Sequence, residues 1–376
     1  MYIPFNKPYL TGNELGYIAE SLATRKLAGD GGFTKRCQVF FEVRYGFPKT
    51  LLTTSCTDAL EMAAILLDIQ LGDEVIAPSY TFVSSVNAFV LRGARIIFAD
   101  SEMAHPNMNI EHMATLITAR TKAVVVVHYA GMAVDMDALR ALCDPQNIAI
   151  IEDAALGLDS FYKGKPLGSM GDLAAFSFHE TKNIVSGEGG LLVINNLKYA
   201  NRAEIIREKG TNRSQFFRGE VNKYGWVDVG SSFLPSEMIA AFLWAQLQSM
   251  DEIQAKRMAI WNNYYTQLQP FSIKNVFEIP FLKSDTQHNA HIFYIVTKSL
   301  HERDKLIQYL KNEGIGTAFH YQALHDSPYF QAQYLGEPLP NSQRFSDCLL
   351  RLPIFVELTD AEQQKVIDAV LSFYNA

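Results

Sequence analysis

At 376 residues the chain exceeds the size at which one hydrophobic core tends to divide into two. Apolar residues make up 48% of it, enough for a large buried interior, and the formal charge of −7 argues against non-specific nucleic-acid binding. The 33 Lys and Arg residues form no basic run that would grip a polyanion, and the most apolar stretches, such as Ala123–Val127, are far too short to span a bilayer.

The opening MYIPFNKPYL has no basic segment followed by an apolar core, so no signal peptide is expected. Cys37, Cys56, Cys143 and Cys348 are far apart and lack CxxC spacing. Four free thiols in a reducing compartment are expected, and with them a cytoplasmic protein. Strands are predicted at Glu74–Ala77, Arg95–Ala99, Ala123–Val127, Ile148–Ile151, Leu173–Phe178 and Leu191–Ile194. They are mostly β-branched or aromatic and lack polar alternation, as strands buried on both faces of a mostly parallel sheet do. Between them lie helical patterns. One starting at Thr57 is apolar nearly all round and should be buried. Others cover Ile110–Ile117 after Asn109 and Met136–Leu142 after Asp135, and one ends at Lys209 before Gly210. This alternation defines an α/β domain with helices on both faces of the sheet.

From Ser236 a long helical pattern runs towards Gln267, with room for breaks. Then the order changes: a strand at Ile292–Thr297, a helix ending near Gly314, a strand at Ile315–Tyr321, and a last helix announced by the capping box Thr359-Asp-Ala-Glu362. A smaller α/β domain is expected beyond a boundary near residues 245–270.

Three constellations carry chemistry. Thr53-Thr-Ser-Cys-Thr-Asp-Ala59 precedes the buried helix, where free N–H groups and the helix dipole suit a phosphate; plain N-capping is the alternative. IAIIEDAA, 148–155, ends a buried strand in Glu152 and Asp153, where an acid could pair with a protonated ring nitrogen; here too a helix cap is the alternative. AAFSFHETKN, 174–183, followed by Gly187-Glu-Gly-Gly190, puts His179 and Lys182 beyond another strand end, 29 residues after Asp153. A lysine there, near a phosphate and other cations, can become a nucleophilic amine, against the ordinary reading of a solvated surface residue. With the aromatic Tyr80-Thr-Phe82 before them, the four parts stand in the order that pyridoxal phosphate (PLP) enzymes use: phosphate cradle, ring sandwich, acid at the pyridine nitrogen and Schiff-base lysine.

On IPF, SCTDALEMA, GDEVIAPSYTFVSSVNA, VHYAG, IEDAA, FSFHETKN and GEGG, the sequence resembles the DegT-type sugar-nucleotide aminotransferases over essentially its whole length. The resemblance implies PLP fold type I, aspartate aminotransferase-like: a large, mostly parallel seven-stranded sheet domain (1–250) that carries the lysine, and a small C-terminal α/β domain (251–376). It implies Lys182 as the Schiff-base lysine and Asp153 as the acid at the pyridine nitrogen. Phe82 matches the ring-stacking aromatic, Cys56, Thr57 and Ser177 the phosphate site, and Ser232 a position that reaches the phosphate of the neighbouring subunit. The stretch Lys209–Ser232 and the motif Phe319–His325 are similar to the branch that converts dTDP-4-keto-6-deoxy-D-glucose to dTDP-4-amino-4,6-dideoxy-D-galactose with L-glutamate. Arg213, Arg218, Lys223, His320 and His325 are then expected to grip sugar and diphosphate, against surface charge as the alternative. A homodimer with shared sites is implied. Two positions depart from the family pattern: Leu156, usually Gln or His, and Ala323, usually Pro. A 3-keto or equatorial-product aminotransferase and a non-catalytic PLP-binding regulator are the rival readings. No metal site is expected, since His320 and His325 lack an acid or Cys partner at ligand spacing.

Overall fold

The computed structural model describes residues 2–375. Its main sheet is built from β1 (Thr50–Thr53), β2 (Glu74–Pro78), β3 (Arg95–Ala99), β4 (Thr121–Val127), β5 (Ala149–Asp153), β6 (Leu173–Ser177) and β7 (Gly190–Ile194). The spatial order is β1-β7-β6-β5-β4-β2-β3. All neighbours are parallel except β7, which runs against both β6 and β1. The fold is therefore the large, mostly parallel seven-stranded α/β sheet of PLP fold type I.

The missing polar alternation has a simple cause. Side chains still alternate between faces, but both faces are covered. Ala123 and Val125 of β4 pack with the Cys56–Leu66 helix in one core, and Val124 and Val126 join a second core that includes Leu139 of the Met136–Cys143 helix. Likewise Leu173 and Ala175 of β6 face the first core, while Ala174 and Phe176 face a third, built on the Gly32–Tyr45 and Glu237–Gln248 helices. Caps form at the positions that the sequence indicates: Asn109 accepts from His112 N–H, Asp135 from Ala138 N–H, Ser236 from Ile239 N–H, and Thr359 reciprocates with Glu362.

The long pattern from Ser236 breaks at Ser249 into Glu237–Gln248 and Met250–Ile273. A second sheet, β8 (Phe293–Val296) antiparallel to β9 (Leu349–Leu352), lies with the Leu300–Asn312 and Asp360–Asn375 helices around a separate core. Ile3 enters this core as well, so the first residues cross to the C-terminal half.

Several expectations need correction. Ile315–Tyr321 is not a strand: it makes only the isolated bridges Ile3–Ile315 and Ala318–Arg351, and β9 is the partner of β8 instead. The helix expected to end at Lys209 ends at Arg207, and the helix at Ile110 stops at Thr115. All four cysteines are free thiols. Among the described residues, no helix is long and apolar enough to cross a membrane.

Candidate active site

The C-terminal ends of β5 and β6 open into a cavity of about 470 Å³, walled by the start of the Cys56–Leu66 helix and closed from the C-terminal half by His320, Tyr321 and Arg351. Ligand sites in open α/β sheets gather at this edge.

Two neighbouring acids are separated here by the pleat. Glu152 is fully buried away from the cavity; it accepts N–H bonds from Gly168 (2.7 Å), Met170 (2.7 Å) and Gly171, and pairs with His128 Nε2 at 2.9 Å. Burial alone would raise its pKa, but His128 and the N–H groups outweigh it and hold the carboxyl below the ordinary range. Asp153 lines the cavity. Its Oδ2 accepts from Ser85 Oγ at 2.6 Å and its Oδ1 from Ala155 N–H at 3.1 Å. Burial pushes its pKa up, only partly opposed by these bonds and by Lys182. An acid so desolvated is primed to take a cationic partner.

Lys182 sits half-buried across the same cavity, on the connection between the antiparallel strands β6 and β7. That loop is tightly bonded: Lys182 N–H donates to His179, Glu180 N–H to Gly187, and Ser186 N–H to Phe178. The neighbouring Asn183 is anchored to His291 Nδ1 (2.9 Å), the Asn289 carbonyl (2.8 Å) and Gln254 (2.8 Å). Burial lowers the Lys182 pKa, the Asp153 carboxylate opposes this, and Arg351 lowers it further. The net shift is downward, towards the neutral amine that is the nucleophile.

The helix start meets the cradle requirement. Ser55 Oγ caps Asp58 N–H and the Ser55 carbonyl takes Ala59 N–H, which leaves the N–H groups of Cys56 and Thr57 without a backbone acceptor. Thr57 Oγ1 is 2.8 Å from Ser84 Oγ at the same wall. Gly190 of β7 lies so close that a Cβ there would stand 2.3 Å from the Ser55 carbonyl group and 2.5 Å from Cys56 N. Ser177 completes this side, and Phe82, 56% exposed, forms a flat apolar wall. Cradle, aromatic wall, buried acid and poised lysine thus fit PLP.

Of the remaining expected residues, only His320 lines the cavity; its Nδ1 is 2.8 Å from Tyr129 Oη and its ring stacks on Tyr321. His325 is bonded to Ser79 Oγ at 2.6 Å, outside the cavity. Arg213, Arg218, Lys223 and Ser232 also lie outside the cavity of their own chain. Arg213 approaches Glu208 at 3.6 Å, and Arg218 pairs with Glu204 and Glu220, each at 2.7 Å. Leu156 lines the cavity as a buried apolar side chain. Ala323 has φ −63, which proline could adopt, but its N–H donates to Ser346 Oγ at 3.2 Å, a bond proline cannot make. Sequence reading missed Ser84, Ser85, Tyr321 and Arg351. The first three stand inside the motifs quoted above, while Arg351 sits unmarked in an apolar run.

The fold is that of PLP-dependent enzymes of fold type I, and the residues of the cavity fit that cofactor. The chain belongs to the DegT/DnrJ/EryC1/StrS aminotransferase family, whose profile matches residues 8–371. It is thus an aminotransferase of a sugar-acting family, with PLP as its cofactor. It is similar to the aminotransferase TlmJ from Streptoalloteichus hindustanus, at 28% identity over 99% of both chains and a TM-score of 0.91. DesV of S. venezuelae, solved in complex with ketimine intermediate, is 29% identical over 100% of this chain and 99% of its own, with a TM-score of 0.90. An aminotransferase from Psychrobacter cryohalolentis is 25% identical over 100% and 99%, with a TM-score of 0.92.

Proposed function

We propose that this enzyme transfers the amino group of L-glutamate to a nucleotide-linked keto-deoxy sugar, dTDP-4-keto-6-deoxy-D-glucose, giving dTDP-4-amino-4,6-dideoxy-D-galactose for surface polysaccharide synthesis in the cytoplasm. The observation that carries the amino-transfer part is the cleft itself, in which the Lys182 amine, the Asp153 carboxylate and the open helix start at Cys56–Thr57 share one cavity. The choice of sugar rests on the likeness of Lys209–Ser232 and Phe319–His325 to that branch of the family.

Bound PLP supplies an electron sink for the bond broken at the donor carbon and carries the amine between the two substrates. The protein does the rest. Cys56 and Thr57 N–H groups, with Ser177, hold the phosphate. Phe82 packs on the ring, worth about 0.5–1.5 kcal/mol beyond area burial. Asp153, fixed by Ser85 and Ala155, keeps the ring nitrogen protonated. Lys182 would hold the cofactor through its amine and, when free, would take the proton from the amino-acid carbon.

Arg213, Arg218, Lys223 and Ser232 would serve the cavity of a second copy. This accounts for their place on a segment that also exposes Phe217 (69%) and Trp226 (84%). A homodimer follows.

The test is incubation of the purified enzyme with L-glutamate and a panel of nucleotide keto-sugars, with product configuration read by NMR. An axial 4-amine on the dTDP sugar is expected. A 3-amine, an equatorial 4-amine, or no product from any dTDP-keto-sugar would refute the substrate reading.

A further inference from the structure

Tyr129 and His320 share a hydrogen bond that settles which ring nitrogen of His320 carries hydrogen. Tyr129 is fully buried, and its N–H donates to Asn107 Oδ1 at 2.9 Å. Its hydroxyl lies 2.8 Å from His320 Nδ1 and, among the described residues, has no second partner within the protein. Tyr80 and Tyr294 pack on its ring at 5.6 and 5.8 Å, yet the hydroxyls of both are themselves without a hydrogen-bond partner. Burial pushes the Tyr129 pKa far up, so the hydroxyl keeps its hydrogen. That hydrogen has one acceptor to go to, the lone pair of His320 Nδ1. The opposite arrangement, with Nδ1–H donating, would leave a buried O–H without an acceptor, and an unsatisfied buried donor is costly. A ring nitrogen that accepts obliges the other to carry the hydrogen. His320 is therefore the Nε2–H tautomer.

The surroundings hold this arrangement in place. The His320 ring stacks on Tyr321 with centroids 3.6 Å apart and leans on Tyr129 at 5.3 Å. The turn that aims Tyr129 contains Ala130 at φ 57, a left-handed conformation that a residue with a Cβ rarely adopts. Such a conformation persists only where the surrounding structure over-determines it. His320 lines both the main cavity and a smaller space beside Lys182, and its Nε2 makes no bond within the protein. Burial, the Arg351 guanidinium, the Lys182 amine and His291 hold its pKa well below the ordinary histidine range. Arg351 and Lys182 are donors as well, so neither charged neighbour offers Nε2–H an acceptor. The acceptor has to arrive with a ligand. Lys182 must reach the carbon that gains or loses the amine, and the carbonyl oxygen of a keto substrate is bonded to that same carbon. A donor that shares the lysine's surroundings meets that oxygen.

We propose that Tyr129 is a positioning residue: through His320 Nδ1 it fixes hydrogen on Nε2, and His320 Nε2–H donates a hydrogen bond to the carbonyl oxygen of the keto substrate. The histidine keeps its proton and no bond is made or broken at the ring. What it stabilises is the negative charge that builds on the oxygen as the amine adds to the neighbouring carbon. The proposal rests on the amino-transfer reading and deepens it, by assigning a group that recognises the ketone rather than the rest of the substrate.

The tautomer is read directly by solid-state 15N NMR of the PLP-loaded enzyme labelled at histidine, with His320 assigned by its loss in His320→Gln. A lone pair on Nδ1 and hydrogen on Nε2 are expected across the neutral pH range. Kinetics read the role. His320→Asn reaches only the Nδ1 position, so it keeps a partner for Tyr129 and loses the cavity donor; kcat/KM for the keto substrate should fall about 10- to 100-fold. His320→Gln puts an amide N–H near the Nε2 position and should retain more activity than His320→Asn. Tyr129→Phe should lower kcat/KM in the wild-type background and cause no further loss in His320→Gln, because the amide needs no tautomer fixed. The shape of the pH profile should be the same in wild type and His320→Gln. Hydrogen on Nδ1, Tyr129→Phe losses of equal size in both backgrounds, or a limb of the pH profile that vanishes in His320→Gln each overturns the proposal. Retained visible absorbance of the bound cofactor shows that the variants are folded. The kinetics are run with the keto-sugar that the wild type aminates best and with 2-oxoglutarate in the reverse half-reaction. If no keto-sugar is aminated, the sugar assignment fails, while the spectrum and the 2-oxoglutarate series still decide the role of Tyr129.

Discussion

The closest backbone approach in the site gives a sharp test. Gly190 opens β7 and is paired on both sides, with Thr53 of β1 and Ser177 of β6. In Gly190→Ala the new Cβ would stand 2.3 Å from the Ser55 carbonyl carbon and oxygen. Carbon contacts are best near about 3.5 Å, so strand and helix start must part by roughly 1 Å. No flexible side chain can yield, because the obstacle is backbone and β7 is held from two directions. Overpacking of this kind costs about 1–3 kcal/mol, and the rigid setting places it towards the upper end. The effect on the cofactor is more specific. A hydrogen bond from Cys56 or Thr57 N–H to a phosphate at about 2.8 Å is lost when the donor withdraws by ~1 Å. One such loss weakens cofactor binding about 10- to 100-fold. Titration of the apoenzyme with PLP, followed by visible absorbance, measures the affinity, and thermal unfolding of the apoenzyme measures the packing cost. A variant with the wild-type PLP affinity and the wild-type unfolding midpoint would show that the β7–helix contact neither shapes nor tightens the cradle.

Lys182→Ala should retain the fold but lose both the visible absorbance of attached cofactor and all turnover; normal transamination by this variant would remove the lysine from its role. Asp153→Asn takes away a negative charge that raises the Lys182 pKa, so the lysine becomes still easier to deprotonate. The pH midpoint for trapping PLP on the apoenzyme with borohydride should therefore fall relative to wild type, and turnover should drop by about 10²–10⁴; an unchanged midpoint contradicts the proposed coupling. Glu152→Gln should cost about 3 kcal/mol near neutral pH, because one carboxylate now serves His128 and three N–H groups. Its folded pKa is depressed, so its stabilisation is complete above the unfolded value and is lost as pH falls through the folded one. The gap in denaturant stability between Glu152→Gln and wild type should narrow as the solution is acidified, and a gap independent of pH would show that Glu152 is not ionised.

Six of the seven main strands are legible because each is an unbroken apolar run between turn residues, which is how a strand covered on both faces reads. β1 is not, since Thr50–Thr53 is four residues long and merges into the polar cap segment that follows it. β9 escapes for a related reason: Leu349–Leu352 follows directly on the Pro340–Cys348 helix with no turn residue to mark its start. Lys182 stands out as a candidate from order and spacing. Spacing does not separate Glu152 from Asp153, two acids in a row, and only the family resemblance points to Asp153. The pleat decides, sending one into a closed ring of N–H donors and the other into the cavity.

Arg351 is hidden because nothing in Leu-Leu-Arg-Leu marks it as more than a polar residue in an apolar run. Only the packing of β9 against the N-terminal segment, with the guanidinium over the Phe5 ring, brings it to the cavity. The failed strand at Ile315–Tyr321 belongs to the same region and has a positive reason. Its composition is that of a strand, yet Gly316 meets the backbone of Ile3 and Phe5, where a Cβ would come within 2.7 Å of Phe5 N. The N-terminal residues occupy the edge along which this segment would otherwise pair. Released from a ladder after Ala318, the chain can turn His320 and Tyr321 into the cavity, against Tyr129 and Phe82. Local propensity loses here to the site, in keeping with the general rule that sequence and fold disagree most where function imposes its own geometry.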